Sequence, residues 1–317
     1  MNRHSSMASK VKAYLAYRRG LGYELKIEGQ MLGQFAAFAD RRQHRGPHTT
    51  ELALRWARAT PSADRLYWAR RLEVVRCLAR HLAPTEPGTE IPLRGLLGPA
   101  HRRTAPHIYS DVEIAGLMTS ACKLGPTGGL RPQTYRTLIG LLAATGLRNS
   151  EALHLARHDA ELDRGLLTIR MTKFRKTRLV PLHATTTAAL RTYSEFRDRS
   201  WPNARSDRFF VNDHGLPLPY STVHTVFRKL CNDLCIASNP RRPRMHDLRH
   251  TFACRRVEAW SDAGVDVTHS LAALSTYLGH VKVTDTYWYI TATPDLMARA
   301  AAKFEQYDSP SGREDSL

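Results

Sequence analysis

An aperiodic stretch rich in proline and glycine divides this chain into two parts. Residues 84–108 show neither helical nor strand periodicity, and proline and glycine interrupt both kinds of element. The chain has 317 residues, which is enough for two domains that each bury a core. We therefore predict one domain over 1–98, a linker over about 84–108, a second domain over 105–307 and a disordered tail over 308–317.

The part before this stretch has the pattern of helices separated by short breaks. Met31, Phe35 and Phe38 recur at the spacing that places side chains on one face of a helix. The run HTTELALRWARA (48–59) predicts a further helix with threonine at its N-cap. The first domain is therefore predicted to be helical.

The second part mixes helical patterns with a few short runs typical of strands. Ser110 and Glu113 have the spacing of a capping box, and the apolar helix predicted over 131–145 should end at Gly146. LLTIRM (166–171) and TRLVPL (177–182) predict a hairpin with the basic tip TKFRK, and FFVN (209–212) predicts one more short strand. The expected fold is mainly α with a small β-hairpin or sheet in the second domain.

The charge of the chain indicates a polyanionic partner. Lysine and arginine number 47 against 29 acidic residues, a formal net charge of +18. Such a surface attracts nucleic acid. A protein that binds a membrane surface usually has one amphipathic helix with a dense cluster of basic residues, and the sequence shows no such helix. No apolar run approaches the length of about 20 residues that a bilayer requires, and the start MNRHSSMASK lacks a signal-peptide core. We expect a cytoplasmic protein that does not act at a membrane.

The run MHDLRHTF (245–252) first suggests a metal site. His246 and His250 lie four residues apart, on one helix face, and the string differs by one acid from the H-E-x-x-H pattern of zinc proteases. Arg249 shares that face, and a fixed positive charge is unfavourable beside Zn²⁺. A third ligand and a glutamate base are also lacking in register. We therefore predict an anion site here and no metal.

Four motifs occur in a fixed order along the second part. They are ATGLRNSEALHL (144–155), MTKFRKTRLVPL (171–182), HDLRHTF (246–252) and YLGHVKVTDTYWYI (277–290). Together they resemble the tyrosine recombinases, the phage integrase and Xer-like family, from about residue 105 to 295. That family has an arginine in a G-L-R-x-S-E turn, a hairpin lysine, an H-x-x-R pair, and a tyrosine nine residues after the histidine of L-G-H.

The resemblance assigns roles to residues of this chain. It implies Tyr289 as the nucleophile of a covalent 3′-phosphotyrosine, Lys173 as general acid, and Glu151 as an acid that orients the cluster. Arginine forks suit the two non-bridging oxygens of a phosphodiester, and imidazole suits proton transfer near neutral pH. The complete expected catalytic set is Arg148, Lys173, His246, Arg249, His280 and Tyr289. Neighbouring basic residues are expected to contact the DNA backbone: Arg175, Lys176, Arg178 and Arg241.

The resemblance also implies an assembly. The first domain looks like the family's SAM-like core-binding domain, so that the two domains would form a C-shaped clamp on duplex DNA. Four protomers would act on two DNA sites, with other recombinases or accessory proteins as possible partners, in a bacterial cytoplasm at the nucleoid. No cofactor is expected, because the energy of the broken bond is kept in the phosphotyrosine.

The expected function is integration or excision of a mobile element by site-specific strand exchange. Two alternatives remain open at this point. A type IB topoisomerase uses the same kind of tyrosine nucleophile but relaxes supercoils. The chain length and the spacing of the tyrosine from L-G-H favour recombination over this alternative. A DNA-binding accessory protein that lost activity is the second, although all members of the catalytic set are present.

Overall fold

The computed structural model describes residues 6–61, 64–101, 105–170, 177–202, 205–236, 242–280 and 282–291. The chain divides into two compact units, 1–104 and 105–317, and this division falls within the aperiodic stretch. Among the described residues no helix is long and apolar enough to cross a membrane.

The first unit consists of helices packed on one core. They are α1 (Met7–Gly20), α2 (Lys26–Arg41), α3 (Thr50–Arg58) and α4 (Arg65–Leu82). Thr49 caps α3 by accepting a hydrogen bond from the backbone of Leu52, which confirms the predicted threonine cap. Phe35 and Trp56 meet edge to face in the core at a ring separation of 5.3 Å.

Residues 84–98 fold onto this first unit. The backbones of His48 and Glu90 pair through a 2.8 Å hydrogen bond from the Glu90 N–H, and Arg76 Nε donates to the Pro92 carbonyl at 2.9 Å. Leu97 packs against the helical core. The segment forms no regular secondary structure because its proline and glycine residues interrupt helices and strands. Its contacts with the helices nevertheless hold it against the first unit.

The second unit combines helices with a small antiparallel sheet. Its helices are α5 (Asp111–Ala121), α6 (Leu130–Thr145), α7 (Asn149–His154), α8 (Ala184–Ser200), α9 (Tyr220–Asp233), α10 (Asp247–Asp262), α11 (Val267–Leu278) and α12 (Thr284–Thr291). The strands β1 (Ala160–Glu161), β2 (Leu166–Ile169) and β3 (Arg178–Pro181) lie in the order β1-β2-β3, with Ile169 opposite Arg178. The mainly helical fold with a small sheet is therefore confirmed.

Local chemistry explains where two of these elements end. The Ser110 hydroxyl accepts from the Glu113 backbone at 3.1 Å while the Glu113 carboxylate accepts from the Ser110 backbone at 2.8 Å, the predicted capping box. Helix α6 ends at Gly146, whose φ of +61° lies in the left-handed region. A Cβ at this glycine would also meet the Phe252 ring at 2.6 Å.

The prediction of a strand at FFVN (209–212) is wrong. Val211 forms only an isolated bridge to Pro217, and residues 209–211 are buried in the core of the second unit. The run is apolar because Phe209 and Phe210 pack against Tyr193, with ring separations of 5.7 and 5.2 Å. A short apolar run indicates burial but does not by itself indicate a strand.

Candidate active site

Arg148 stands at the turn between α6 and α7. Its backbone N–H donates to Glu151 Oε2 at 2.9 Å, which begins α7 with a carboxylate at its N-terminal turn. Its guanidinium donates to Glu151 Oε1 at 2.7 Å and to the carbonyl of Gly279 at 2.9 Å. A quarter of the side chain is exposed, so that Arg148 is fixed by the protein and still accessible.

Glu151 joins Arg148 to Arg178 of β3. Arg178 binds both carboxylate oxygens, at 3.0 and 2.9 Å, and its Nε donates to the Tyr277 carbonyl at 2.8 Å. Burial alone would raise the pKa of Glu151, but the hydrogen bonds and charge of Arg178, with those of Arg148, lower this pKa to about 2. The carboxylate is therefore ionised and holds two guanidinium groups together.

The glycine of the L-G-H motif leaves room for this network. Gly279 has a φ of +68°, and a Cβ there would lie 2.9 Å from Nη1 of Arg178. Its carbonyl accepts from Arg148. A side chain at this position would be strained and would displace Arg178.

Arg249 lies in the first turn of α10 and is 2% exposed. It donates to the Gly146 carbonyl at 2.8 Å, to the Leu278 carbonyl at 2.7 Å and to Nε2 of His280 at 2.9 Å. These carbonyls stand at the C-terminal ends of α6 and α11, where helices leave acceptors without intrahelical donors. Arg249 thereby ties two helix ends together beside Arg148.

His280 lies between Arg249 and helix α12. Its Nδ1 is 2.8 Å from the hydroxyl of Thr286, a residue with 0% exposure. Desolvation, then the positive charge of Arg249, lower the pKa of His280 to about 4. The imidazole is therefore neutral at pH 7.

His246 is the N-cap of α10 and remains exposed to solvent. Desolvation by its neighbours, then the charge of Arg249, lower the pKa of the His246 ring below its ordinary value, although solvent still reaches part of the side chain. Its ring meets that of His250 edge to face at 5.2 Å. Within the described ranges no three His, Cys, Asp or Glu side chains are grouped so that they could hold a metal ion.

Some predicted site residues cannot be placed. Tyr289 belongs to α12, but its side chain lies outside the described part of the structure. Lys173, Arg175 and Lys176 fall in 171–176, and Arg241 falls in 237–241, both outside the described residues. The structure thus brings together Arg148, Glu151, His246, Arg249 and His280, and their expected roles stay predictions.

Two contacts were not anticipated by the sequence. Arg178, which is expected to contact the DNA backbone, is 12% exposed and also donates to Glu151 and to the Tyr277 carbonyl, so that it helps to hold Arg148. Thr286 was not singled out, although it lies on α12 three residues before Tyr289. That i, i+3 spacing was the available signal, since it places both residues near one helix face.

Comparison with known proteins identifies the class. Residues 112–295 match the phage integrase family. The putative integrase/recombinase y4rB of Sinorhizobium fredii is 40% identical over 309 residues, which cover 95% of this chain and 98% of that protein. The tyrosine recombinase XerD of Halalkalibacterium halodurans is 30% identical over 170 residues, 53% of each chain.

Solved structures have the same fold. The Tn1549 transposon integrase in complex with transposon right end DNA superposes with a TM-score of 0.69 at 14% identity, over 96% of this chain and all of that one. The XerH site-specific recombinase bound to a palindromic difH substrate superposes with a TM-score of 0.65 at 18% identity, over 94% of this chain and 85% of that one. The chain therefore belongs to the phage integrase family, the tyrosine recombinases. Its enzyme class is that of a site-specific recombinase that breaks and rejoins DNA.

Proposed function

We propose that this chain exchanges strands of duplex DNA through a covalent 3′-phosphotyrosine at Tyr289. The observation that carries this proposal is the convergence of two arginines on one backbone turn, where Arg249 binds the Leu278 carbonyl and Arg148 the next one, of Gly279. Two planar guanidinium groups side by side suit the two non-bridging oxygens of one phosphate. The similarity to recombinases described in complex with their DNA substrates adds support.

In the first chemical step the phenolic oxygen of Tyr289 attacks the scissile phosphorus. The bond to the 5′-oxygen breaks, the 3′-phosphate becomes an ester of tyrosine, and the 5′-oxygen leaves with a proton from Lys173. Arg148 and Arg249 stabilise the charge that grows on the non-bridging oxygens. His246 and His280 are neutral at pH 7 and are the candidates to accept a proton from the tyrosine or bind the phosphate, which His280 can do once Arg249 releases its Nε2. A 5′-hydroxyl of the partner strand then attacks the phosphotyrosine, which joins the exchanged strands by a new phosphodiester bond and releases the phenol of Tyr289 with its proton.

The wider proposal concerns the substrate and the assembly. Residues 1–98 are the core-binding domain and 105–307 the catalytic domain, which close around DNA; four protomers act on two sites to integrate or excise a mobile element. The transposon integrase among the similar structures supports this element type. Because most contacts of such a clamp go to phosphates, DNA binding should weaken steeply with salt.

A covalent trapping experiment tests the chemistry. The probe is a library of nicked duplexes with a randomised site, from which cleavage releases a short strand so that rejoining cannot occur. We expect covalent protein–DNA adducts in excess EDTA, since arginine and lysine supply the positive charge that a metal gives other nucleases. The recovered sequences define a substrate for all further assays. If no adduct forms, or adducts require a divalent metal, the proposal fails.

Two matched tyrosine variants test the nucleophile. Tyr289→Phe should keep DNA binding and lose the adduct, because only the hydroxyl is removed. Tyr287→Phe is the control, since Tyr287 lies two residues earlier on α12 and is 45% exposed. It should form adducts at the wild-type rate. The reverse result would show that Tyr287 is the nucleophile.

A further inference from the structure

Thr286 is the buried residue that connects His280 to the helix of the proposed nucleophile. Its side chain is completely buried, and its hydroxyl oxygen lies 2.8 Å from Nδ1 of His280. The adjacent Asp285 and Tyr287 are exposed, so that Thr286 marks the inward face of α12. A buried hydroxyl retains its place only when it is hydrogen-bonded.

The other nitrogen of the ring determines the direction of this hydrogen bond. Nη2 of Arg249 lies 2.9 Å from Nε2 of His280, and a guanidinium can only donate. Nε2 must therefore accept, and the single proton of the neutral ring is on Nδ1. From there it is donated to the Thr286 oxygen. Arg249 thus requires the tautomer with the proton on Nδ1, and Thr286 supports that tautomer by accepting this proton.

The same hydrogen bond anchors α12. Tyr289 follows Thr286 by three residues, so that both lie near one face of α12, less than one turn apart. A contact that fixes Thr286 against His280 also fixes where this turn of the helix begins. This one hydroxyl group therefore contributes both to the orientation of the histidine, together with Arg249, and to the position of α12, together with its packing on α10 and α11.

We propose that Thr286 is a positioning residue for DNA cleavage. Its hydroxyl accepts the Nδ1 proton of His280, which supports the tautomer that Arg249 requires, and it anchors the helix that carries Tyr289. This inference rests on the proposed phosphotyrosine chemistry. Thr286 itself does not touch the DNA; it acts through its two neighbours.

Isosteric substitution tests the hydroxyl. Thr286→Val keeps the shape and removes the hydrogen-bond acceptor, and we expect adduct formation to slow by about tenfold to a hundredfold, as displacements of about 1 Å do, with DNA affinity unchanged. Thr286→Ser restores the hydroxyl and should restore most of the rate. Thr134→Val is the control for a lost buried hydroxyl, because Thr134 is equally buried and binds Tyr193 and Val211 instead. It should lower stability and leave the cleavage rate unchanged.

A spectroscopic measurement makes the test independent of cleavage. Nitrogen-15 shifts of the His280 ring in the DNA-free protein, assigned with His280→Asn, should show the proton on Nδ1 in the wild type and in Thr286→Ser. In Thr286→Val the Nδ1 tautomer should lose population. A wild-type ring protonated on Nε2, an unchanged tautomer in Thr286→Val, or wild-type cleavage by that variant would each overturn the proposal. Failure of the wild type to form adducts would instead refute the phosphotyrosine chemistry.

Discussion

Arg148 and Arg249 are expected to bind the same phosphate, yet the protein holds them in different ways. Arg148 is held by an ionised carboxylate that it shares with Arg178, and a quarter of its side chain is exposed. Arg249 is 2% exposed and bridges the carbonyl groups at two helix ends. One site is an ion-pair network open to a ligand, and the other is part of the packing of the second unit.

This difference separates catalysis from folding. Substitution of Arg148 leaves Glu151 with Arg178 as its partner. Substitution of Arg249 removes a hydrogen-bond donor from the carbonyls of Gly146 and Leu278, two buried residues, and a buried carbonyl that loses its donor lowers stability. We therefore expect that variants of Arg148 report mainly on chemistry, whereas variants of Arg249 report on chemistry and on a larger loss of stability.

The largest expected effect comes from Lys173, and it separates proton donation by this lysine from charge neutralisation by the arginines. Lys173→Ala should slow cleavage by about 10²–10⁴, because the 5′-oxygen leaves poorly without a proton. A substrate with sulfur at the 5′-bridging position needs no proton, so that it should restore the rate of Lys173→Ala and not that of Arg148→Ala. Lys176→Ala is the matched control, since Lys176 belongs to the same basic run, TKFRK. If Lys176→Ala is the variant that sulfur rescues, the general acid lies three residues further along.

The next effect tests the two arginines directly. Arg148→Ala and Arg249→Ala should each slow adduct formation by about 10²–10³. Arg249→Ala should also lower the free energy of unfolding by roughly 2–4 kcal/mol, since two buried carbonyls lose their donor. Arg148→Ala should lower it by about 1 kcal/mol, as for an ordinary substitution. The free energies of unfolding are measured by urea titration. Equal losses of this free energy in the two variants would contradict the proposed structural role of Arg249.

Two glycines with the same backbone angle isolate the role of Arg178. Gly279 and Gly264 both have a φ of +68°, but a Cβ meets Arg178 at 2.9 Å only at Gly279, and nothing within 4 Å at Gly264. Alanine at either should cost about 1–2 kcal/mol of stability through backbone strain. Only Gly279→Ala should also slow cleavage, by about tenfold or more, because it displaces the network that holds Arg148. Equal cleavage rates for the two variants would remove Arg178 from that role.

The last prediction concerns the pH dependence of stability rather than the cleavage rate. The pKa of Glu151 is about 2 in the folded chain and about 4.3 when unfolded, so that the carboxylate stabilises the fold above pH 4.3 and this contribution is lost as the pH falls towards 2. Glu151→Gln should be less stable than the wild type by about 2–3 kcal/mol at pH 7. The difference should shrink between pH 5 and pH 2. A difference that stays constant with pH would mean that the charge of Glu151 is not what binds the arginines.

The sequence was sufficient where local chemistry determines structure. The capping box at Ser110, the stop at Gly146 and the threonine cap at Thr49 depend on neighbours within a few residues, and all three are present. The expected site residues in the described ranges also cluster: Arg148 and His246 are the N-caps of α7 and α10, and the L-G-H motif begins with the last residue of α11. Long-range partners were beyond prediction: no spacing reveals that Arg178 binds an acid 27 residues earlier and the carbonyl of Tyr277. The apolar run at 209–212 shows the same limit, since burial and strand formation favour the same residue types.

The most direct measurement uses a substrate whose scissile phosphate carries no charge. In a methylphosphonate linkage one non-bridging oxygen is replaced by a methyl group, so that an arginine that neutralises charge is no longer needed. Adduct formation by the wild type, Arg148→Ala and Arg249→Ala is compared on this linkage and on ordinary phosphate, at a temperature where all three are folded. We expect the deficit of about 10²–10³ for each variant to fall by at least tenfold on the methylphosphonate. A deficit that is the same on both linkages would contradict the claim that these two arginines neutralise the phosphate.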